Sequence, residues 1–92
     1  TIDLAKRLVM RKGEEIHLTP IEYKLLVTLV KQAGMVITHR HLLEQVWGPG
    51  NSERVEYLRV YMTQLRSKLE EQPAQPRYLR TELGIGYRLK ID

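Results

Sequence analysis

The chain has no cysteine in its 92 residues. That excludes disulfides and thiolate metal sites, and it is compatible with a reducing compartment such as the cytoplasm. No apolar run approaches the roughly 18 residues that a membrane-spanning helix needs. There is no Pro/Ser-rich tract and no long block of like charge, so disorder is not expected. Internal repeats and low-complexity segments are also missing. The opening TIDLAKR is not a secretory signal. The chain lacks a starting Met, so it is expected to be the C-terminal piece of a longer protein.

What is present fits one domain, residues 1–92, with a single modest core. The net charge is +4, and the isoelectric point is near 9.6. A basic balance of this size points toward a polyanionic partner, although a basic soluble domain without one has the same totals.

The most informative stretch is Ser52 to Glu71. Val55, Leu58, Met62, Leu65 and Leu69 recur at spacings of three and four, which places them on one stripe of a helix. Opposite them lie Tyr57, Val60, Gln64 and Ser67, flanked by Glu56, Tyr61, Thr63, Arg66 and Lys68. One face belongs to a core and the other faces something outside.

The remaining segments supply the context. Ile2-Asp3-Leu4, Leu8-Val9-Met10 and Ile16-His17-Leu18 read as short antiparallel strands with a turn at Gly13. Ile16 and Leu18 should face inward and His17 outward. Thr19-Pro20-Ile21-Glu22 is a capping box with proline at the first helical position. It opens a helix over about 20–33 that Gly34 stops. Met35-Val36-Ile37 is a short apolar link or a strand, and Thr38 caps a second helix over 39–47. Gly48-Pro49-Gly50-Asn51 breaks the chain before the third helix, 53–71. Gln72 to Pro76 breaks it again. The alternating runs Tyr78–Leu83 and Tyr87–Ile91, joined through Gly84 and Gly86, predict a hairpin over about 78–91.

Two helices with a loop between them, followed by a hairpin, make a winged helix-turn-helix. This is an α+β fold with an N-terminal antiparallel sheet, three helices and a C-terminal β-hairpin wing. Such a motif places its second helix in the major groove of double-stranded DNA.

Four motifs then carry a family likeness: Leu18–Leu26 (LTPIEYKLL), Leu42–Gly48 (LLEQVWG), Leu65–Glu70 (LRSKLE) and Thr81–Arg88 (TELGIGYR). In this order and spacing the chain resembles the OmpR/PhoB-type winged-helix effector domain of two-component response regulators over nearly its whole length. Tyr57 to Met62 is most similar to the potassium-transport branch. The resemblance implies a four-stranded N-terminal sheet and a preceding phosphorylatable receiver domain that lies outside this chain. It further implies a cognate sensor kinase, self-dimerisation through receivers, tandem half-sites on DNA and a cytoplasmic location. The loop Gly48, Pro49, Gly50, Asn51 and Ser52 matches a segment that contacts RNA polymerase in some members.

The resemblance also implies which residues meet DNA. Tyr57, Val60, Tyr61, Thr63 and Gln64 match positions turned into the major groove. Chemistry agrees for Gln64, whose amide can pair with N6 and N7 of adenine, and for Val60, which suits a thymine methyl. Val60 can equally be an isolated exposed apolar residue, and Tyr57 and Tyr61, four apart, can stack on each other. Arg66 matches a phosphate-contacting position, its alternative being a surface salt bridge of little worth, and Lys68 is a lesser candidate of the same kind. Arg54 sits at a helix start, where phosphate is favoured. His39, or Arg40 beside it, matches a phosphate-contacting position, and Trp47 is core that brushes the backbone. On the wing, Thr81 and Tyr87 match backbone contacts, with Arg80, Arg88 and Lys90 adding charge. The chain departs from some relatives, which carry Arg at the positions of Glu56, Thr63, Gln64 and Leu83. Arg59 stands where many relatives have Asp. A different half-site is therefore expected, resting on Gln64, Val60 and DNA shape.

Other classes fit less well. His39 and His41 are two apart on a helix and point to different faces, His17 is distant, and Gly84-Ile85-Gly86 opens no helix. No Ser/His/Asp grouping is visible, so neither catalysis nor a cofactor or metal is expected. A winged helix used as a protein-interaction module is the remaining alternative, since fold alone does not fix function.

Overall fold

The computed structural model describes residues 2–3, 8–50 and 54–90. The chain begins as a three-stranded antiparallel sheet, β1 (Ile2–Asp3), β2 (Leu8–Arg11) and β3 (Glu14–Glu15), in that spatial order. Lys12 (φ 52°) and Gly13 (φ 80°) are both left-handed, as the two-residue turn between β2 and β3 requires. This turn pairs Arg11 with Glu14. The third strand therefore lies before Ile16–Leu18, where alternation had predicted it. The Ile16 N–H still donates to the Val9 carbonyl at 2.8 Å, after which the chain leaves the sheet. Ile16 and Leu18 pack on the core and His17 is exposed, as the alternation required. The fourth strand implied by the resemblance is not found among the described residues, and Leu4 lies outside them.

Helix α1 (Pro20–Lys31) starts with the capping box read from the sequence. The Glu22 N–H donates to Thr19 Oγ1 and the Thr19 N–H donates to Glu22 Oε1. The helix ends three residues short of Gly34. Gln32 and Ala33 donate to Leu29 and Val30, which tightens the last turn, and the Gly34 N–H is drawn to the Leu89 carbonyl at 2.8 Å. The apolar link becomes β4 (Val36–Thr38), and Thr38 caps α2 (His39–Trp47) by accepting from the His41 N–H. Helix α3 (Val55–Leu69) is shorter than the predicted 53–71; Glu53 lies outside the described residues. At its other end Glu70 leaves the helix because its buried carboxylate accepts the N–H groups of Arg77, Tyr78 and Leu79, at 3.0, 3.0 and 2.7 Å.

The three helices pack pairwise. Leu25, Leu26 and Leu29 of α1, Leu42, Leu43 and Val46 of α2, and Leu58, Met62 and Leu65 of α3 are all buried in one core. The wing strands β5 (Leu79–Glu82) and β6 (Gly86–Leu89) join β4 in a second antiparallel sheet of order β4-β6-β5. Ile91, at the end of the predicted hairpin, lies outside the described residues. Ile37, Leu79 and Tyr87 seal this sheet to the core.

Gly86 has a role that turn chemistry alone does not show. A Cβ built there would sit 1.8 Å from the backbone oxygen of Ile37. The glycine lets β6 approach β4 closely. Gly86→Ala is expected to force the strands apart, at a cost above the roughly 1–3 kcal/mol of ordinary overpacking. Thermal unfolding should then begin roughly 10 °C or more lower. An unchanged midpoint would refute this contact.

Glu22 is buried, and its Oε1 accepts from Lys68 Nζ at 2.5 Å. Burial by itself would raise its pKa. The Lys68 ammonium and the Thr19 cap outweigh burial and hold it below the ordinary value of 4.5. A carboxylate with a depressed folded pKa stabilises the fold above its unfolded pKa and loses that contribution as pH falls through the folded value. Acid titration of stability below about pH 4.5 should therefore be shallower in Glu22→Gln than in the parent chain. Parallel curves would show that the pair contributes nothing.

Candidate nucleic-acid interface

Burial of Leu58, Met62 and Leu65 fixes the rotation of α3 about its axis. Every other side chain on the helix is then placed. Tyr57 (45% exposed), Val60 (53%) and Gln64 all stand on the outer face. Among the described residues the Gln64 amide has no partner, so both its donor and its acceptor are open. Thr63 is exposed, but its hydroxyl donates back to the Arg59 carbonyl at 2.9 Å. It therefore offers a methyl group and oxygen lone pairs, with no free proton.

The tyrosines do not stack on each other. Tyr61 packs against Trp47, ring centroids 5.4 Å apart, which joins α3 to α2. Tyr57 instead takes Arg54, whose Nη1 donates to the Tyr57 hydroxyl at 3.2 Å and whose guanidinium lies 5.3 Å from the ring centroid. Arg54 is the N-cap of α3 and makes no side-chain cap bond. Its charge thus stays beside the positive end of the helix dipole, where it favours an anion.

At the other flank the helix meets the wing. Arg66 is half-buried; its Nε donates to the Leu79 carbonyl at 3.0 Å and its Nη2 to Thr81 Oγ1 at 2.6 Å. The guanidinium lies 5.6 Å from the centroid of Tyr87. Among the described residues Arg66 forms no carboxylate salt bridge; a wing carbonyl and hydroxyl hold it in place. The His39 ring meets Tyr87 edge to face at 5.5 Å, and the His39 backbone N–H donates to the Ile85 carbonyl. Tyr87 is buried, which pushes its phenol pKa up, while the charges of Arg66 and Arg59 oppose that rise. Burial likewise lowers the pKa of Arg66, against the pull of Tyr87 and Glu70.

The structure thus brings Arg66, Thr81, Tyr87 and His39 together, and Trp47 with Tyr61. It separates others. Lys68 has its partners elsewhere. Its ammonium is committed to the Glu22 carboxylate and to the His17 carbonyl at 3.1 Å, on the α1 side, because the buried acid requires a partner there. The Tyr87 ring is buried as an internal support between His39 and Arg66. Arg80 and Arg88 are cross-strand partners on the sheet face opposite Leu79, Thr81 and Tyr87. Arg88 pairs with Glu82 at 2.8 Å. Arg40 is exposed and pairs with Glu44 at 3.0 Å. In the loop from Gly48 to Ser52, residues Gly48, Pro49 and Gly50 are described, whereas Asn51 and Ser52 lie outside the described residues.

The residue-by-residue reading did not single out Glu70 as the anchor of the wing connector or Arg59 as a neighbour of the Tyr87 phenol. For Arg59 a signal existed, since it lies seven residues, two helical turns, from Arg66. For Glu70 there was none, because its partners lie across a loop. Among the described residues no cluster of three or more His, Asp or Glu could hold a metal, and no helix is long and apolar enough to cross a membrane.

Comparison with known proteins adds a second line. The profile of the family described as "Transcriptional regulatory protein, C terminal" matches residues 13–89. The KDP operon transcriptional regulatory protein KdpE of Escherichia coli (strain K12) is 56% identical over 91 residues, covering 99% of this chain and 40% of that protein. The chain therefore spans well under half the length of this relative. Among solved structures, the Thermotoga maritima response regulator DrrB, an OmpR/PhoB homolog, superposes with a TM-score of 0.84 at 34% identity, over 97% of this chain and 40% of that one. The Klebsiella pneumoniae RstA DNA-binding domain, solved in complex with the RstA box, gives 0.87 at 27% identity over 97% and 88%.

The Arg66 contacts predict a stability effect independent of any ligand. Arg66→Ala leaves the carbonyl of the buried Leu79 without a partner, at an expected cost of about 1–3 kcal/mol in chemical denaturation. Faster amide exchange along β5 and β6 should accompany it. Arg66→Lys should recover little, because an ammonium cannot reproduce the planar fork. Full stability in both variants would rule out the contact as an anchor.

Proposed function

Because the chain belongs to the family of transcriptional regulatory protein C-terminal domains, of OmpR/PhoB type, we propose that it binds double-stranded DNA sequence-specifically as the output domain of a KdpE-type response regulator. Helix α3 enters the major groove, and the hairpin β5–β6 lies along the backbone or minor groove. One observation carries this reading: α3 is locked by its apolar stripe while Tyr57, Val60 and Gln64 remain exposed on its far side. The likeness to the RstA domain, which was solved on DNA, supports the same placement.

Gln64 reads a base edge through its open amide, and Val60 packs on a thymine methyl. Arg54 and Arg66 take phosphates at the two flanks. Tyr57, Tyr61, Trp47, His39, Arg40, Thr63 and Thr81 line the surface between them, and Arg80, Arg88 and Lys90 add positive charge on the wing. The domain binds and does not catalyse. We further propose, for the whole regulator, a preceding receiver domain phosphorylated by a cognate sensor kinase, dimerisation through receivers, binding to tandem half-sites and a cytoplasmic location. RNA polymerase would be contacted by the loop that begins at Gly48.

A selection of bound sites from random duplexes tests the proposal. Gln64→Ala should lose about 1–3 kcal/mol of discrimination at one base pair and leave the rest of the logo intact. Replacing thymine by uracil at one position should weaken the parent chain but not Val60→Ala. Identical logos for the parent and Gln64→Ala would remove the base-reading role. Absence of any salt-dependent duplex binding would favour the protein-interaction module instead.

A further inference from the structure

Arg59, Thr63 and Arg66 follow one another at spacings of four and three and so line one side of α3. That side faces the wing, because Arg66 bonds Leu79 and Thr81 of β5. Two of the five guanidinium N–H groups of Arg66 are used in those bonds, which leaves three. Arg59 stands two turns away, about 10 Å along the helix axis. It is exposed and, among the described residues, its side chain makes no hydrogen bond or ion pair. The Arg66 guanidinium lies 5.6 Å from the centroid of the Tyr87 ring, and the charge of Arg59 acts on the same phenol from further along the helix.

The acids that might neutralise this corner are engaged or unpaired with it. The Glu70 carboxylate accepts three backbone N–H groups, and its charge acts on Arg66 without forming an ion pair with it. Glu82 pairs with Arg88 on the opposite face of the sheet. Glu56, one turn before Arg59, forms no ion pair with it among the described residues. Arg59 and Arg66 therefore line the wing side of α3, and among the described residues neither forms an ion pair with a carboxylate. The base-reading centre of the same helix is neutral. Charge of this kind, set beside a neutral reading face, suits the backbone of a nucleic acid strand.

We propose that Arg59 is a phosphate-binding residue that acts with Arg66 as a two-point clamp on the DNA strand lying along the wing side of α3. Arg66 is held by the protein itself; Arg59 is the free arm. The clamp rests on the DNA-binding reading above.

The test uses the 92-residue chain and a duplex from the site selection. Affinity is measured across a salt series for the parent, Arg59→Gln, Arg59→Lys and Arg59→Asp. Loss of one phosphate contact lowers the slope of log affinity against log salt by about 0.9. Arg59→Gln should show that loss with an unchanged selection logo. Arg59→Lys should restore the slope, and Arg59→Asp should fall further than Gln. Single methylphosphonate substitutions locate the contact: one phosphate whose neutralisation weakens the parent should be silent in Arg59→Gln. A Gln variant with the parent slope, or with no newly silent phosphate, overturns the clamp while leaving the DNA reading standing. A parent chain without salt-dependent duplex binding overturns both.

Discussion

The rotation of α3 about its own axis is the constraint on which the rest depends. Leu58, Met62 and Leu65 are fully enclosed by α1 and α2. Turning the helix by even one position would expose them and bury Tyr57, Val60 or Gln64. Burial of a leucine or methionine side chain is worth about 1.5–3 kcal/mol, so three such residues hold the orientation firmly. The outer face is thus a consequence of the inner one. It stays exposed because nothing else in the described chain competes for it.

The wing is attached to that helix by polar contacts of a different kind. Glu70 gathers three successive N–H groups of the connector, and Arg66 reaches the first wing strand at Leu79 and Thr81. Gly86 lets β6 close on β4, which ends at the cap of α2. Helix, wing and the start of α2 consequently form one unit around Tyr87. A preformed unit loses less freedom on docking, and so keeps more of its contact energy as affinity.

Charge is distributed unevenly over this unit. Between Glu53 and Glu71 four basic residues balance four acidic ones, so net charge does not single α3 out. Placement does. Arg54 stands at the helix start, Arg59 and Arg66 on the wing side, and the neutral Val60 and Gln64 between. Lys68 shows how position decides the role of a basic side chain. It has the same chemistry as the others, yet it serves Glu22 because the acid is buried beside it. The two ends of the interface could be read as basic from spacing alone, whereas the removal of Lys68, Arg80 and Arg88 from the face packed on α3 could not.

Local signals were enough to identify the helices, their caps and the hairpin, because periodicity, a capping box and glycine turns act over a few residues. Thr19 with Glu22 and the stripe from Val55 to Leu69 are read in the chain as they stand in the fold. The early end of α3, the shift of β3 to Glu14–Glu15 and the recruitment of Val36–Thr38 into the wing sheet depended on partners far along the chain. So did the division of the basic residues between Glu22, the first wing strand and the exposed side of α3. Sequence by itself determined which face of α3 is apolar and which is free, since helical spacing fixes that. Only the tertiary structure decided which charged side chains on the free face have their partners inside the protein. A charge finds its partner through space, and that distance is set by packing.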